Sequence, residues 1–318
     1  MVMNEFELIE QLIRGFGDLT KADFIATGPG DDAAVVNLPD DQQLVVSTDT
    51  LVPDVHFPAE ARGDLVGFRS VAINVSDLAA MGATPLGMTV AMTIDSLASD
   101  WIQQFAHGIA VAAREFNVKI LGGNLARGPL NITVTIQGSV PNGKALLRSQ
   151  AQIGDDIWLT GTLGATRAFL DERTNPQSSI ETLLSRQDTC AVARYFLPHP
   201  RVEFASKIRD VVHGAIDVSD GLASELAHLT KASQCGASIS LNGLPVWRGL
   251  NTMDVVGPDD SYEVLFTANE GDRPQILELA LLTYTPVVII GEVVADQNVS
   301  YTLDGESVIP QTGFDHFA

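Results

Sequence analysis

Short apolar runs that end in aspartate or glycine alternate along this chain with segments of helical periodicity, and this alternation predicts a mixed α and β fold. Residues 84–94 (TPLGMTVAMTI) are a predicted strand, and residues 67–83 (GFRSVAINVSDLAAMGA) are a predicted helix. Two hairpins are also predicted. One joins DAAVVNL to LVVSTDTLV through a Pro-Asp-Asp turn, and the other joins NITVTIQGSV to KALLRS through Asn142-Gly143.

A second set of strands and helices begins near residue 151. The predicted strand DDIWLTG precedes the helix GATRAFL, and the strand GAIDVSD precedes the helix GLASELAHLTKAS. Three further apolar runs, YEVLFTA, PVVIIGEVV and VSYTL, are predicted strands, whereas residues 171–190 are polar and predict a surface excursion. We therefore predict two α+β domains, residues 1–150 and residues 151–318.

The composition excludes some classes of partner. Nineteen Lys and Arg against forty Asp and Glu give a net charge of −21, which argues against binding to nucleic acid or to anionic membranes. The N-terminal MVMNEFELIEQLIRGF predicts an amphipathic helix rather than a signal peptide, and no apolar run reaches the ~18 residues of a membrane span. Cys190 and Cys235 show no metal-binding or paired spacing. A cytoplasmic protein is expected.

Acidic and hydroxyl side chains recur where predicted strands meet turns: GPGDD at 28–32, STD at 47–49, VSD at 75–77 and IDVSD at 216–220. One aspartate at such a boundary is usually a turn former or a helix cap, and Ser219 and Asp220 are typical of caps. Their repetition indicates a role in binding as well as in capping. Mg²⁺ prefers carboxylate and hydroxyl oxygens, and no Walker lysine is present, so the pattern favours metal-neutralised phosphates.

The predicted helix at 67–83 carries a polar stripe, with Ser70, Asn74 and Asp77 at spacings that share one face. Buried polar groups cost stability unless they are satisfied. Two interpretations stay open: Asn74 and Asp77 bond nearby backbone, or Asp77 faces a cation. Weaker signals are the Gly122-Gly123 pair and the turn GTLG at 161–164, which could each approach a ligand or simply connect elements.

The longer motifs are similar to those of a known family. GPGDDAAVV, VVSTDTLVPDVHF, SVAINVSDLAAMGATP, ILGG, LLRSQAQIGD, AIDVSDGLASEL and GFDHF occur in this order from about residue 5 to the end. Together they resemble thiamine-monophosphate kinases, which belong to the aminoimidazole ribonucleotide synthetase-like superfamily. The resemblance implies a homodimer with paired N-terminal domains, ATP in a groove near the interface, and transfer of the γ-phosphoryl group to thiamine monophosphate, giving thiamine diphosphate.

The resemblance also implies roles for individual positions. The implied Mg²⁺ ligands are Asp32, Ser47, Thr48, Asp49, Asp77, Asn124, Asp217 and Asp220, of which Asp49, Asp77 and Asp217 are the expected catalytic residues. The implied ATP contacts are Gly123, Asn124, Arg148 and Ser219. The implied substrate contacts are His56, Asp260 and Gln311.

Three segments differ from the family pattern. Asn124 stands where the family has a metal-binding aspartate. PDDSYEV replaces GGEDYEL, so Asp260 stands at a substrate-contacting glutamate and Ser261 at the aspartate after it. Gln311 stands where the family has a tryptophan. Two alternatives therefore stay open beside the kinase: a related ATP-dependent enzyme acting on another small anion, and a nucleotide-binding paralogue with little catalysis.

Overall fold

The computed structural model describes residues 5–95, 100–172, 178–187 and 189–314, without the side chains of residues 5, 6 and 172. Residues 315–317 of the GFDHF motif, the Phe6 side chain and parts of the predicted 171–190 excursion lie outside these residues. The chain divides into two compact units. The first is Met1–Leu78, Thr84–Gly143 and Gln177–Ser185, and the second is Ala79–Ala83, Lys144–Pro176 and Arg186–Ala318.

Helices and strands alternate through both units. The helices are α1 (Glu5–Phe16), α2 (Gly63–Ala80), α3 (Asp100–Glu115), α4 (Ala165–Glu172), α5 (Ile180–Leu184), α6 (Ala191–Phe196), α7 (Val202–Ile208), α8 (Leu222–Ser233), α9 (Thr252–Val256) and α10 (Arg273–Leu282). The strands are β1 (Ile25–Thr27), β2 (Val35–Val36), β3 (Gln42–Leu51), β4 (Thr84–Ile94), β5 (Lys119–Arg127), β6 (Asn131–Pro141), β7 (Asp156–Thr160), β8 (Ala215–Asp217), β9 (Gly236–Ser240), β10 (Val264–Ala268), β11 (Val287–Val294), β12 (Val299–Leu303) and β13 (Glu306–Val308).

The first unit is built on a four-stranded sheet in the order β3-β6-β4-β5. β6 pairs antiparallel with both β3 and β4, while β4 and β5 run parallel, with α3 connecting them. Side chains alternate between the two faces of a strand. On β6, Ile132, Val134 and Ile136 are buried, whereas Leu44 and Val46 of β3 are exposed. The predicted α+β class is confirmed.

Both predicted hairpins are wrong. β2 has only two residues and pairs with β1, while the ten residues of β3 pair along their whole length with β6. Residues 144–147 form no strand, because the Leu146 N–H bonds to the Met81 carbonyl and its side chain is buried in the second unit. The turn signals located chain reversals. They did not identify strand partners, which were decided by the longer hydrogen-bonded register.

The second unit contains a seven-stranded sheet in the order β13-β12-β9-β11-β7-β10-β8. All neighbours are antiparallel except β12 and β9. The interior strand β7 is buried throughout and sends Ile157 and Leu159 into one apolar core and Trp158 into another. β9 and β13 were not predicted from sequence.

None of the helices in the described part of the chain combines the length and apolar character that a bilayer crossing requires. The longest, α2, contains Asp64, Arg69 and Asp77 within its eighteen residues.

A buried ion cluster lies in the second unit, next to β10. Glu263 accepts from Arg194, from Arg201 Nε at 2.8 Å and from Thr160 Oγ1 at 2.5 Å. Burial alone would raise the pKa of Glu263, but the positive charges of Arg201 and Arg194 outweigh burial and lower it to about 2. Glu263 is therefore ionised and neutralises one of two buried guanidinium charges.

Glu263→Gln should destabilise the protein by about 3–5 kcal/mol, because the substitution preserves shape but leaves two buried cations without their counter-ion. Denaturant unfolding followed by tryptophan fluorescence measures the change. Glu203→Gln is the matched control, since Glu203 is exposed and, among the described residues, its carboxylate pairs with Lys207 alone. Equal midpoints for the two variants would contradict the assignment.

Candidate functional site

Strand β3 and helix α2 bring three of the expected site residues together in the first unit. Ser47 Oγ donates to Asp77 Oδ2, and the Asp49 N–H donates to Asn74 Oδ1 at 3.2 Å. Asn74 is buried and also donates through Nδ2 to the Ser70 carbonyl at 2.9 Å. The polar stripe thus separates into two roles: Asn74 fastens strand to helix, and Asp77 faces the hydroxyl of β3.

Thr48 is not brought to this group. It lies between Ser47 and Asp49, so its side chain points to the opposite face of β3. Thr48 Oγ1 donates to Thr135 Oγ1 on β6 at 3.0 Å. The hydroxyl of Thr48 therefore lies across the sheet from the Asp77 carboxylate.

The turn at residues 28–32 presents its two carboxylates to solvent. Gly30 has φ 121°, a conformation that favours glycine, and it starts the reversal. The Asp32 N–H donates to Asp31 Oδ1 at 2.8 Å, so the turn is stabilised by its own acid. Asp32 lies free of the sheet at the end of this turn.

A cavity of about 1030 Å³ adjoins the turn. Most of its wall is apolar and comes from α1, α3, β4 and β5, while Asp31, Asp32 and Asn124 contribute polar groups. Gln137 also lines it, and its buried Oε1 accepts no hydrogen bond from any residue that the structure describes. No sequence motif indicated Gln137. Its position on the β6 face that carries Thr133 and Thr135 was the only available signal.

The strand pairing itself requires glycine at position 123. A Cβ at this position would lie 2.2 Å from the Val90 carbonyl oxygen of β4, so only glycine permits the two strands to pair here. The absence of a side chain at Gly123 is therefore required by the sheet, whatever approaches from the cavity.

His56 is held in one orientation. Its Nδ1 accepts the Val52 N–H at 3.0 Å, and its carbonyl accepts from Arg69 Nε at 3.2 Å. With Nδ1 engaged as an acceptor, the ring proton is on Nε2.

In the second unit, the turn after β8 carries Ser219 and Asp220. The prediction that these two residues cap α8 is wrong, because the N-cap is Gly221 with φ 120°. Glu225, one turn into the helix, instead accepts from Ser219 Oγ at 3.4 Å and from the Asp220 N–H at 3.2 Å. Sequence reasoning missed Glu225, although an acid in the first turn of a helix is a known capping signal.

The surroundings of Glu225 also change the pKa of its carboxyl group. Burial raises its pKa to about 7, the negative charge of Asp220 adds to the shift, and the positive charge of Arg148 opposes it. Arg148, Ser219 and Asp220 are thereby collected around one buried acid. Asp217 ends β8 just before them and is 2% exposed.

The remaining expected substrate contacts are Asp260, in the segment 257–263, and Gln311, which lies against this segment. Asp260 accepts from Thr166 Oγ1 through its carbonyl at 3.4 Å, while the exposed Gln311 lies against Gly257, where a Cβ would be 3.2 Å from that of Gln311. The turn GTLG at 161–164 connects β7 to α4 and lies next to this segment. A Cβ on Gly161 would lie 1.8 Å from Glu263 Oε1.

Asp259 was not singled out from the sequence. It is 4% exposed, its Oδ2 accepts the Gly164 N–H at 3.0 Å, and its Oδ1 has no hydrogen-bond partner among the described residues. Burial, reinforced by the negative charge of Asp260, raises the pKa of Asp259 to about 7. The adjacent acids of PDDSYEV were the signal for a carboxyl pair, but their burial was not visible in the sequence.

The oxygen donors in each unit fit a hard cation, since Ser, Asp and Asn side chains are the ligands that Mg²⁺ takes in proteins. Within the ranges that the structure describes, no group of three or more His, Cys, Asp or Glu side chains is arranged to hold a metal ion. Ser47 and Asp77 are in direct contact, and Asp49 is anchored beside them.

Asp259→Asn should raise the free energy of unfolding at pH 8 by on the order of 2–4 kcal/mol, with little change near pH 4. The folded protein binds the Asp259 proton more tightly than the unfolded chain, whose carboxyl has a pKa near 3.8. This group therefore lowers stability as pH rises from about 4 to about 7, and asparagine removes that loss. Thermal unfolding across this pH range measures the difference, and a variant whose advantage is independent of pH would contradict it.

Comparison with known proteins gives the family. Residues 30–140 match AIR synthase related protein, N-terminal domain, and residues 152–304 match AIR synthase related protein, C-terminal domain. A thiamine-monophosphate kinase of Escherichia coli O157:H7 is 36% identical over 305 residues, covering 92% of this chain and 93% of the relative. A Haemophilus influenzae thiamine-monophosphate kinase is 33% identical over 331 residues, covering 100% and 99%.

The fold agrees with these relatives. The crystal structure of thiamine-monophosphate kinase from Stenotrophomonas maltophilia K279a superposes with a TM-score of 0.83 at 36% identity, covering 97% of this chain and 99% of that one. Matches of this identity and coverage extend through both units. The chain therefore belongs to the thiamine-monophosphate kinase family, built from the N- and C-terminal domains of the AIR synthase related proteins.

Proposed function

We propose that this protein transfers the γ-phosphoryl group of ATP to thiamine monophosphate and so produces thiamine diphosphate. The observation that carries the proposal is the 36% identity, over nearly the whole chain, to proteins named for this activity. AaThiL, whose structure is complexed with AMPPCP and TMP, has the same fold with a TM-score of 0.72.

The cavity of the first unit suits the nucleotide. Its apolar wall can take a base, and the unpartnered Gln137 Oε1 can accept from an exocyclic amino group such as that of adenine. Asp32 and Asn124 lie in the same cavity wall, where they would meet the phosphate end through cations. Gly123 lets the ligand approach the β5 backbone, and Arg148 and Ser219 are the proposed ATP contacts of the second unit.

The proposed metal ligands are Asp32, Ser47, Thr48, Asp49, Asp77, Asn124, Asp217 and Asp220. Bound Mg²⁺ would supply charge neutralisation between two anionic reactants. Among these residues Asp49, Asp77 and Asp217 are the proposed catalytic ones. The Ser47–Asp77 bond orients the Asp77 carboxylate, and the bond from the Asp49 N–H to Asn74 fixes the backbone that carries Asp49, so little reorganisation is needed when the ligands arrive.

The acceptor needs no strong general base. The terminal phosphate of thiamine monophosphate is already an anionic nucleophile, so the protein has to position it in line with the γ-phosphoryl group. We assign this positioning to His56, Asp260 and Gln311. The Val52 N–H holds the His56 ring in one orientation, and Asp260 can accept from an amino group.

The wider organisation is proposed on the same basis. Residues 1–150 would form the ATP- and Mg²⁺-binding domain, which also dimerises, and residues 151–318 the C-terminal α/β domain. The exposed β3 face, with Leu44 51% and Val46 54% exposed, supports pairing with a second copy. Cys190 and Cys235 are both free thiols, which supports a reducing, cytoplasmic location.

The test is formation of thiamine diphosphate from ATP, Mg²⁺ and thiamine monophosphate, with thiamine as the control acceptor. Asp77→Asn keeps an acceptor for Ser47 and should preserve the melting temperature, yet turnover should fall at least ~100-fold, as expected when a charge-stabilising group is lost. Asp23→Asn, at an exposed aspartate of the same unit, is the matched control. Full turnover by a folded Asp77→Asn variant would remove Asp77 from the site, while turnover only with another phosphorylated acceptor would favour the related-enzyme alternative.

Asn124→Asp should lower the Mg²⁺ concentration that gives half-maximal rate, leaving ATP specificity unchanged. The amide oxygen of Asn124 can coordinate a cation, but an added carboxylate charge at a few ångströms is worth on the order of 1–4 kcal/mol. Titration of Mg²⁺ at fixed ATP on both proteins measures the shift. An unchanged midpoint, or a higher one with slower turnover, would mean that the surroundings are adapted to a neutral side chain.

A further inference from the structure

A second large cavity lies within the second unit, on the side of α8 that carries His228 and Lys231. We define the α8 groove as the space of about 960 Å³ between α8, residues 297–301 and residues 307–313. Its volume is in the range of small-molecule sites, about 300–1,000 Å³. None of the residues assigned to the nucleotide lines it, and of the proposed substrate contacts it includes only Gln311.

The charge of the groove is opposite to that of the chain. Acids outnumber Lys and Arg by forty to nineteen in the whole sequence, yet none of the described residues that line the groove is Asp or Glu. Lys231 and His228 both line it, at positions of α8 that share a face. Neither side chain has a hydrogen bond or ion pair with another described residue. Among the described residues that line the groove, Lys231 is the only Lys, Arg, Asp or Glu, so the lining has a local positive charge although the net charge of the chain is −21.

The groove is also lined by polar side chains that form no hydrogen bonds with other described residues. Ser224 of α8, Gln234 directly after α8, Ser307 of β13 and Thr312 of the C-terminal segment all line it. Within the described part of the chain their side chains form no hydrogen bonds. At its base lie Cys235 and Tyr301, both buried. Hydroxyl and amide groups above an apolar floor suit a ligand that carries hydroxyl groups.

The C-terminal wall of the groove is fixed in place. The Phe314 N–H donates to the Asp220 carbonyl at 3.0 Å, and Gly313 lies so close that a Cβ there would be 2.5 Å from Ser224 Cβ. Residues 311–314 are thus fastened across the first turn of α8. The groove is a built cavity with walls from three parts of the chain, and one wall is anchored on Asp220.

We propose that the α8 groove binds a phosphorylated, hydroxyl-rich small molecule, with its phosphate on Lys231 and His228 and its hydroxyl groups on Ser224, Gln234, Ser307 and Thr312. A phosphate monoester matches the Lys231 ammonium group and the hydrogen-bonding imidazole of His228, and the polar side chains match a sugar. Apart from Gln311, the groove shares no lining residue with those assigned to phosphoryl transfer, and its occupant contacts the segment anchored on Asp220.

The experiment is lysine footprinting on the full chain. Acetylation of Lys231 by an N-hydroxysuccinimide ester is followed by peptide mass spectrometry with ribose 5-phosphate, ribose or inorganic phosphate present. Ribose 5-phosphate at twice its Kd should slow acetylation of Lys231 about threefold, since protection equals 1 + [L]/Kd. Lys207, outside the groove, should be modified at an unchanged rate. Ribose should not protect, and inorganic phosphate should protect less.

His228→Gln should weaken the protection of Lys231 severalfold, while His107→Gln, at an exposed histidine of the first unit, should leave it unchanged. Equal slowing at Lys207, no slowing at Lys231, or equal protection by inorganic phosphate would overturn the proposal. Protection by thiamine monophosphate without protection by ribose 5-phosphate would also overturn it, because the groove would then belong to the substrate site. The footprint needs no turnover, so its failure leaves the kinase assay unaffected.

Discussion

The hydrogen bond between the Asp49 N–H and the buried side chain of Asn74 is the constraint on which the first unit depends. A polar group inside an apolar helix is costly unless it is satisfied, and Asn74 is satisfied only when β3 lies against α2 in one register. That register places Ser47 against Asp77. A slip of one residue would turn Ser47 and Asp49 to the other face of the sheet. The packing of an ordinary-looking helix therefore sets the positions of the carboxylates proposed to act on phosphate.

In the second unit, the buried polar groups next to β10 include charged side chains, whereas in the first unit the corresponding group is the neutral amide of Asn74. Glu263 is ionised because two guanidinium groups surround it, while four residues earlier Asp259 has a pKa raised to about 7 because burial and Asp260 oppose its charge. One segment thus carries a carboxylate held as an anion and a carboxyl group held close to neutral. The Gly161 turn closes over Glu263, and the Gly164 N–H donates to Asp259. Fold stability and the proposed substrate side of the site share the same few residues.

Much of the local structure could be predicted from the sequence, because it depends on local signals. The long strands β3, β4 and β6 and the helices α2, α3 and α8 follow from apolar periodicity. Strand pairing could not be predicted, since β3 and β6 meet across about eighty residues of chain and their register is settled by tertiary packing. The caps of α8 were misassigned for a related reason. Glu225 returns to Ser219 and Asp220 only because Gly221 adopts a backbone conformation that the motif does not reveal.

The site residues also differ in whether they could be recognised from the sequence. Ser47, Asp49 and Asp77 were visible as acids and hydroxyls in the repeated motifs; the structure places them within β3 and α2 rather than at strand ends, and brings them together. Gln137 and Asp259 were not visible, because each is notable for one buried oxygen that lacks a hydrogen-bond partner among the described residues, which is a property of the folded protein. The neighbours Gly123 and Asn124 have unequal evolutionary freedom. Position 123 is closed to any side chain by the Val90 carbonyl of β4, whatever the ligand requires. Position 124 is exposed, so it can exchange a charged for a neutral side chain without disturbing the sheet, and ion affinity can drift there while the fold stays constant.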